Sequence, residues 1–330
     1  MSIVLLLGFA ALFLAFSNGA NDNFKGFATI WGSDTLPFRS ALSFATLATV
    51  LGGIASVVIA DTLVQQFSGK GLVGDALANT PEFALAVASG AAITVMLATR
   101  LGFPISTTHA LVGGLVGAGL AQSDTSINLA NLGSGFVLPL LTSPFISAAL
   151  GLIAYRFIRW RGECKAAKLP TLSAAAASGF TQTRAGEVVH LLSASAICFA
   201  RGVNDTPKLA ALLIAAQLAD GAGSTLLVTA AMGVGGWLLS RRVAETMSKR
   251  INHLDAGQGI SANLVTAALV LFASRLGMPV STTHVSVGSI IGTGAAAGTL
   301  DLSMVRNVLL SWVATLPISA ALAFTIGILV

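Results

Sequence analysis

Two pairs of short motifs carry the chemistry. Asn21, Asp22 and Lys25 recur as Asn204, Asp205 and Lys208, and each set follows or interrupts an apolar run. Ser106-Thr107-Thr108-His109 recurs as Ser281-Thr282-Thr283-His284, each starting two residues after a proline, Pro104 or Pro279. A charge near a bilayer centre costs several kcal/mol, so such residues face a cavity or a partner. Hydroxyls and free N–H groups at a helix start suit a tetrahedral oxyanion, and the lysines add full positive charge nearby. Asp22 and Asp205 are read as orienting the lysines, binding a coupling cation or carrying a proton. His109 and His284 are either loop-orienting residues or proton relays, because histidine titrates near neutral pH.

Blander readings exist for each motif. An Asp–Lys ion pair at a helix end needs no ligand, and one Ser or Thr is enough for an N-cap. Duplication argues against the first, and three successive hydroxyls exceed what a cap needs. Gly19 and Gly202, with Pro207, are expected to break their helices and expose N–H groups to an anion. Arg100 and Arg275 read as snorkelling residues. Trp31, Trp160, Trp237 and Trp312 read as interface anchors or packing, and Asp34, Arg39 and His190 as loop or interface residues.

The elements that position these residues are membrane segments. The chain has 330 residues, 55% hydrophobic and 9% charged, and a mean hydropathy of +0.85. A soluble domain carries about 25% charged residues, and disordered chains are rich in charge. The apolar stretches are continuous, without the alternation of a β-barrel. A spanning helix needs roughly 20 apolar residues. Segments are expected near 2–20, 40–61, 82–100, 104–121, 134–158, 187–217, 222–240, 257–274, 279–299 and 305–329. The Gly-rich segments 104–121 and 279–299 are short enough either to span or to re-enter.

RLGFPISTTH at 100–109 and RLGMPVSTTH at 275–284 differ only at Phe103/Met278 and Ile105/Val280. GANDNFK at 19–25 pairs with GVNDTPK at 202–208, and Gly52-Gly53 with Gly235-Gly236 at the same separation from that motif. The reading is an all-α polytopic membrane protein of two inverted-topology repeats, about five membrane segments each, with broken or re-entrant helices. Residues 1–158 form the first repeat, 159–186 a basic cytoplasmic linker, and 187–330 the second repeat. The linker and the loop with Arg241, Arg242, Lys249 and Arg250 are basic and read as inside. The loops with Asp61, Asp75 and Glu82, with Asp124 and with Asp220 read as outside. N- and C-termini are thus expected outside, in the cytoplasmic (inner) membrane. Cys164 and Cys198 form no disulfide framework and no metal spacing. No Walker A, Cys/His metal cluster or nucleophile elbow is present, so no cofactor, no enzyme activity and no nucleic-acid partner are expected.

SNGANDNFKGFATIWGS at 17–33, GFPISTTHALVGGLVGAGL at 102–120, GMPVSTTHVSVGSIIGTG at 277–294 and the GVNDTPK copy resemble the inorganic phosphate transporter (PiT) family. The resemblance covers both halves. It implies ion-coupled secondary uptake of inorganic phosphate at a site between inverted repeats, with sodium or protons as coupling ion. It implies ligand roles for Asn21, Asp22, Asn204, Asp205, Ser106, Thr107, Thr108, Ser281, Thr282 and Thr283. The usual family pattern, GANDVANA, has Asn where this chain has Lys25 and Lys208. An ammonium at that point is expected to stand in for a cation, so that sodium is not needed there and protons, or no ion, couple transport. Rivals are a sulfate or other oxyanion permease and an uncoupled anion channel. Sulfate has no proton to donate to Asp22 or Asp205, which favours phosphate. Membrane lipid surrounds the chain, and the Gly-rich faces permit a homodimer.

Overall fold

A computed structural model describes residues 2–59, 63–64, 67–121, 127–168, 183–215, 219–251 and 254–330, without the side chains of 162–168 and 215. The expectations for Asp61, Asp124, the middle of the linker and the side chains of Cys164, Lys165 and Lys168 lie outside the described residues. Ten helices dominate. They are α1 (Ile3–Asp22), α2 (Phe38–Ile59), α3 (Pro81–Leu101), α4 (Thr107–Ala121) and α5 (Leu138–Lys168). The second half supplies α6 (Arg184–Ala215), α7 (Gly221–Leu239), α8 (Ala256–Arg275), α9 (Thr282–Ala297) and α10 (Leu302–Gly327). Eight of these, all but α4 and α9, are long and apolar enough to cross a membrane.

The helix ends are written in local sequence. Thr80 caps α3 by accepting from the Phe83 N–H, with Pro81 in the first turn and Gly102 at φ 79° closing the far end. Asp255 and Gln258 form a capping box on α8, and Asp220 caps α7. Ser106 and Ser281 accept from the N–H groups of His109 and His284, 3.0 and 3.2 Å away, and start α4 and α9. At 1.5 Å per residue these helices of 15 and 16 residues are only about 22–24 Å long. That is short of the ~30 Å hydrocarbon core, so neither crosses alone. Each follows a non-helical stretch whose proline and next residue, Pro104-Ile105 or Pro279-Val280, are buried.

Two expectations are corrected. Gly19, Gly202 and Pro207 break no helix: α1 runs unbroken through Gly19 to Asp22, and α6 continues through Gly202 and Pro207 to Ala215. The glycines serve close packing instead. A Cβ on Gly19 would fall on the carbonyl of Met232, and one on Gly202 on that of Thr49. Surrounding helices hold α6 together across the N–H that Pro207 lacks. His190 is fully buried, with its Nε2 3.1 Å from Thr29 Oγ1, and is neither a loop nor an interface residue. Within the linker, residues 159–168 extend α5, and Arg184 opens α6.

Packing repeats between the halves. α4 lies on α10 as α9 lies on α5; α2 on α6 as α7 on α1; α1 on α3 as α6 on α8. Large apolar side chains such as Phe9, Val58, Phe145 and Val313 cover the outside. The interior is mostly apolar as well, but among the described residues it also buries charged side chains, Asp22, Lys25, Arg201, Asp205 and Lys208.

Candidate functional site

The end of α1, the middle of α6 and the starts of α4 and α9 meet inside the helix bundle. The Lys25 ammonium contacts the Asp22 carboxylate and the Thr283 hydroxyl, and donates to the Ile105 carbonyl at 3.2 Å. Lys208 repeats this arrangement. It pairs with Asp205 at 3.7 Å and donates to Thr108 Oγ1 at 3.0 Å and to the Val280 carbonyl at 2.8 Å. Each lysine therefore reaches a carboxylate of its own half and a threonine of the other. The threonines cross over in turn: Thr283 donates to the Ile105 carbonyl at 2.7 Å and Thr108 to the Val280 carbonyl at 3.3 Å. Asp22, Lys25, Asp205 and Lys208 are all buried.

The asparagines hold the loops that enter α4 and α9. Asn21 Nδ2 donates to Thr99 Oγ1 and the Phe103 carbonyl, both at 3.0 Å, while its Oδ1 accepts from the Ile105 N–H at 3.2 Å. Asn204 donates to the Val280 carbonyl and to Asp205, and accepts from Ser274. Ser106 and Ser281 are spent as caps. Thr107 donates to Asp22 Oδ2 at 3.4 Å. Thr282 is buried at the same point of α9.

His109 and His284 stand apart from the carboxylates. Their rings lie 4.4 Å apart and border an apolar cavity of about 560 Å³ between α4, α5, α9 and α10. Trp312 stacks on His284 at 3.9 Å and donates to the Pro104 carbonyl, which is packing and not an interface role. Among the described residues no group of three His, Cys, Asp or Glu is placed to hold a metal.

Two residues were missed by sequence reasoning. Arg201, 1% exposed, pairs with Asp205 at 3.4 Å and donates to Asn18 Oδ1 at 2.6 Å, to Asn23 Oδ1 at 3.4 Å and to Thr49 Oγ1 at 3.3 Å. Asn18 donates to Asp22 at 3.1 Å, Thr107 at 3.0 Å and Asp205 at 3.4 Å. The two occupy the same motif position, just before Gly19 and Gly202. An arginine inside the apolar run ICFARGV was the available signal. With Arg201, three cations face two carboxylates, and the cluster carries one formal positive charge.

Between Asn18, Thr107, Thr108, Asp205 and Lys208 runs a narrow crevice that admits no water-sized sphere. The start of α4 borders it, and α9 starts at the neighbouring Thr283–Lys25 contact, so the positive dipole ends of both helices add to the side-chain charge of the cluster. Duplicated lysines, hydroxyls and helix starts meet in one buried region, and the profile of one family covers it. The phosphate transporter family matches residues 18–323. The chain belongs to the phosphate transporter family. It is similar to a protein of Rhizobium meliloti named "Probable low-affinity inorganic phosphate transporter", at 29% identity over 98% of this chain and 96% of that one. A protein of the same name in Mycobacterium bovis is 27% identical over 99% of this chain and 77% of its own length. The fold matches a solved structure titled the sodium-dependent phosphate transporter, with a TM-score of 0.80 at 24% identity over 99% of this chain and 98% of that one.

Proposed function

We propose that this protein carries inorganic phosphate across the cytoplasmic membrane by ion-coupled alternating access, with the anion bound at the cluster just described. The observation that carries this reading is the convergence of two helix starts, two lysines and Arg201 on one buried point. Thr107, Thr108, Thr282 and Thr283 supply hydroxyls to the phosphate oxygens, and Lys25 and Lys208 supply charge-assisted hydrogen bonds. Asp22 and Asp205 face the same space, and phosphate, unlike sulfate, has a proton to offer them at neutral pH. Asn21, Asn204, Ser106 and Ser281 set the loops and caps that place these groups.

The cross-connections support alternating access. Each lysine ties its own half to the threonine of the other half, so the central space is closed while these bonds stand. A phosphate that takes over the ammonium and hydroxyl groups frees the two halves to rock. Sidedness supports the inverted repeat, with 1–158 and 187–330 as its copies. The Arg242 guanidinium donates to the Arg100 carbonyl at 2.5 Å, Asp301 N–H donates to the Ile251 carbonyl at 3.3 Å, and Tyr155 reaches Asp255 at 3.1 Å. These contacts gather the ends of α3, α5 and α7 and the starts of α8 and α10 on one face. Arg100, Arg156, Arg159, Arg161, Arg241, Arg242, Lys249 and Arg250 lie there, and we assign that face to the cytoplasm. Both termini are then outside. A cavity of about 400 Å³ lined by Thr99, Arg100, Arg241 and Arg242 leads from this face toward Asn21.

The test is exchange of radiolabelled phosphate across proteoliposomes containing the purified protein. Saturable exchange, accelerated by phosphate on the far side and competed by arsenate more strongly than by sulfate, is expected. Flux that rises linearly with phosphate and shows no acceleration would make the protein a channel, and stronger competition by sulfate would make it a sulfate carrier.

A further inference from the structure

Neither lysine is merely an ion pair along a helix. Each ammonium sits among three kinds of oxygen: a carboxylate, a carbonyl of non-helical backbone and a hydroxyl. For Lys25 these are Asp22, Ile105 and Thr283; for Lys208 they are Asp205, Val280 and Thr108. The carbonyls belong to non-helical backbone just before α4 and α9, so they are not spent on a helix ladder. Oxygen sets of this composition are those that hard cations take, and unwound backbone carbonyls in interrupted membrane segments are a common source of them. The two lysine side chains are 2% and 1% exposed, so no dissolved cation shares these positions. The arrangement occurs twice, built from equivalent residues of both halves.

We propose that Lys25 and Lys208 are tethered cations, which occupy two oxygen cages that would otherwise bind monovalent cations from solution and so free phosphate transport from sodium at both places. The reasoning rests on the anion-site reading above, because it takes the cages to be walls of the phosphate site. Charge is conserved in it: one fixed ammonium replaces one exchangeable cation in each cage. A fixed ammonium cannot leave with the substrate, so the driving ion is carried elsewhere, and the proton that phosphate shares with Asp22 or Asp205 is the candidate.

Shortening the side chain should reopen a cage. Alanine leaves room for a cation, whereas methionine, similar in length to the lysine stem, fills the space and carries no charge. Exchange of labelled phosphate is measured in sodium, potassium and choline chloride at equal ionic strength. The wild type is expected to exchange at rates within twofold in all three. Lys25→Ala and Lys208→Ala are expected to exchange at least tenfold faster in sodium than in choline, and the methionine variants to stay slow in every salt. Thermal unfolding in detergent reads cation binding without transport: sodium should raise the melting midpoint of the alanine variants and leave the wild type and the methionine variants unmoved. A wild type that loses exchange tenfold without sodium overturns the proposal. So do alanine variants that melt alike in sodium and choline, or that fold in neither. A wild type that exchanges phosphate in no salt contradicts the phosphate reading, while the melting shifts still decide the cages.

Discussion

The two lysines look equivalent in sequence but should differ in what their loss costs. Replacing Lys25 by methionine removes the cation beside Asp22, whose other oxygen accepts only from neutral groups, Asn18 at 3.1 Å and Thr107 at 3.4 Å. A buried carboxylate stripped of its cation costs roughly 3–5 kcal/mol. Replacing Lys208 leaves Asp205 with Arg201 at 3.4 Å and Asn204 at 2.9 Å. The loss there is confined to hydrogen bonds from a charged donor to Thr108 and Val280, about 1.5–3 kcal/mol. Lys25→Met should therefore be the more destabilising by about 2 kcal/mol. The assay is equilibrium unfolding of purified protein in mixed micelles titrated with dodecyl sulfate and followed by far-ultraviolet circular dichroism. In an Arg201→Gln background the Lys208→Met cost should rise toward that of Lys25→Met, because the second cation on Asp205 is then gone. Equal costs for the two single variants, or a larger one for Lys208→Met, would refute the assignment of Arg201 as the charge that distinguishes the halves.

Arg201→Gln should also weaken phosphate binding, because it lowers the formal charge of the cluster from one to zero; a loss of roughly 1.5–3 kcal/mol corresponds to a KM raised about 10- to 100-fold in exchange assays, with Arg201→Lys partly retaining affinity. Gly52→Ala and Gly235→Ala should each destabilise the fold by about 1–3 kcal/mol or more, since the new Cβ would meet the carbonyls of Phe199 and Phe16, and the same micelle titration reads it. Asp301, exposed at the start of α10, accepts from the Ser303 hydroxyl and from the N–H groups of Ser303 and Met304, which hold its carboxyl below the usual range. The stability this adds is present above the ordinary carboxylate value, about pH 4, and is lost as pH falls through the lowered one. Asp301→Asn, still a good N-cap, should remove that acid step from the melting-midpoint profile.

The order of the helices was legible because most are continuous apolar runs, and α3, α7, α8, α9 and α10 begin at recognisable caps. The expected segments fall within a few residues of α1–α4 and α7–α10. The duplicated motifs marked the residues that meet, since Lys25, Lys208, Thr108 and Thr283 do come together. Four things were hidden. Gly19 and Gly202 read as helix breakers because a missing side chain looks alike whether it frees the backbone or admits a neighbouring helix; only the carbonyls of Met232 and Thr49 show which. Pro207 stays inside α6 because packing overrides local propensity. Arg201 escaped because most basic residues in this chain lie in loops or at segment ends, and its partner position in the first half is Asn18, so the repeat gave it no duplicate. The partners of Lys25 and Lys208 across the halves depend on tertiary geometry alone.

The central claim is that phosphate binds between the two lysines. Arsenate, with the shape and charge of phosphate, can be located by anomalous scattering at the arsenic edge in crystals of the protein grown at a concentration that competes for exchange. The account predicts a single strong peak within hydrogen-bond reach of the Thr108 and Thr283 hydroxyls and of both lysine ammonium groups. A peak confined to the arginine-lined cavity near Arg100 and Arg242, or none at the lysines, would contradict it.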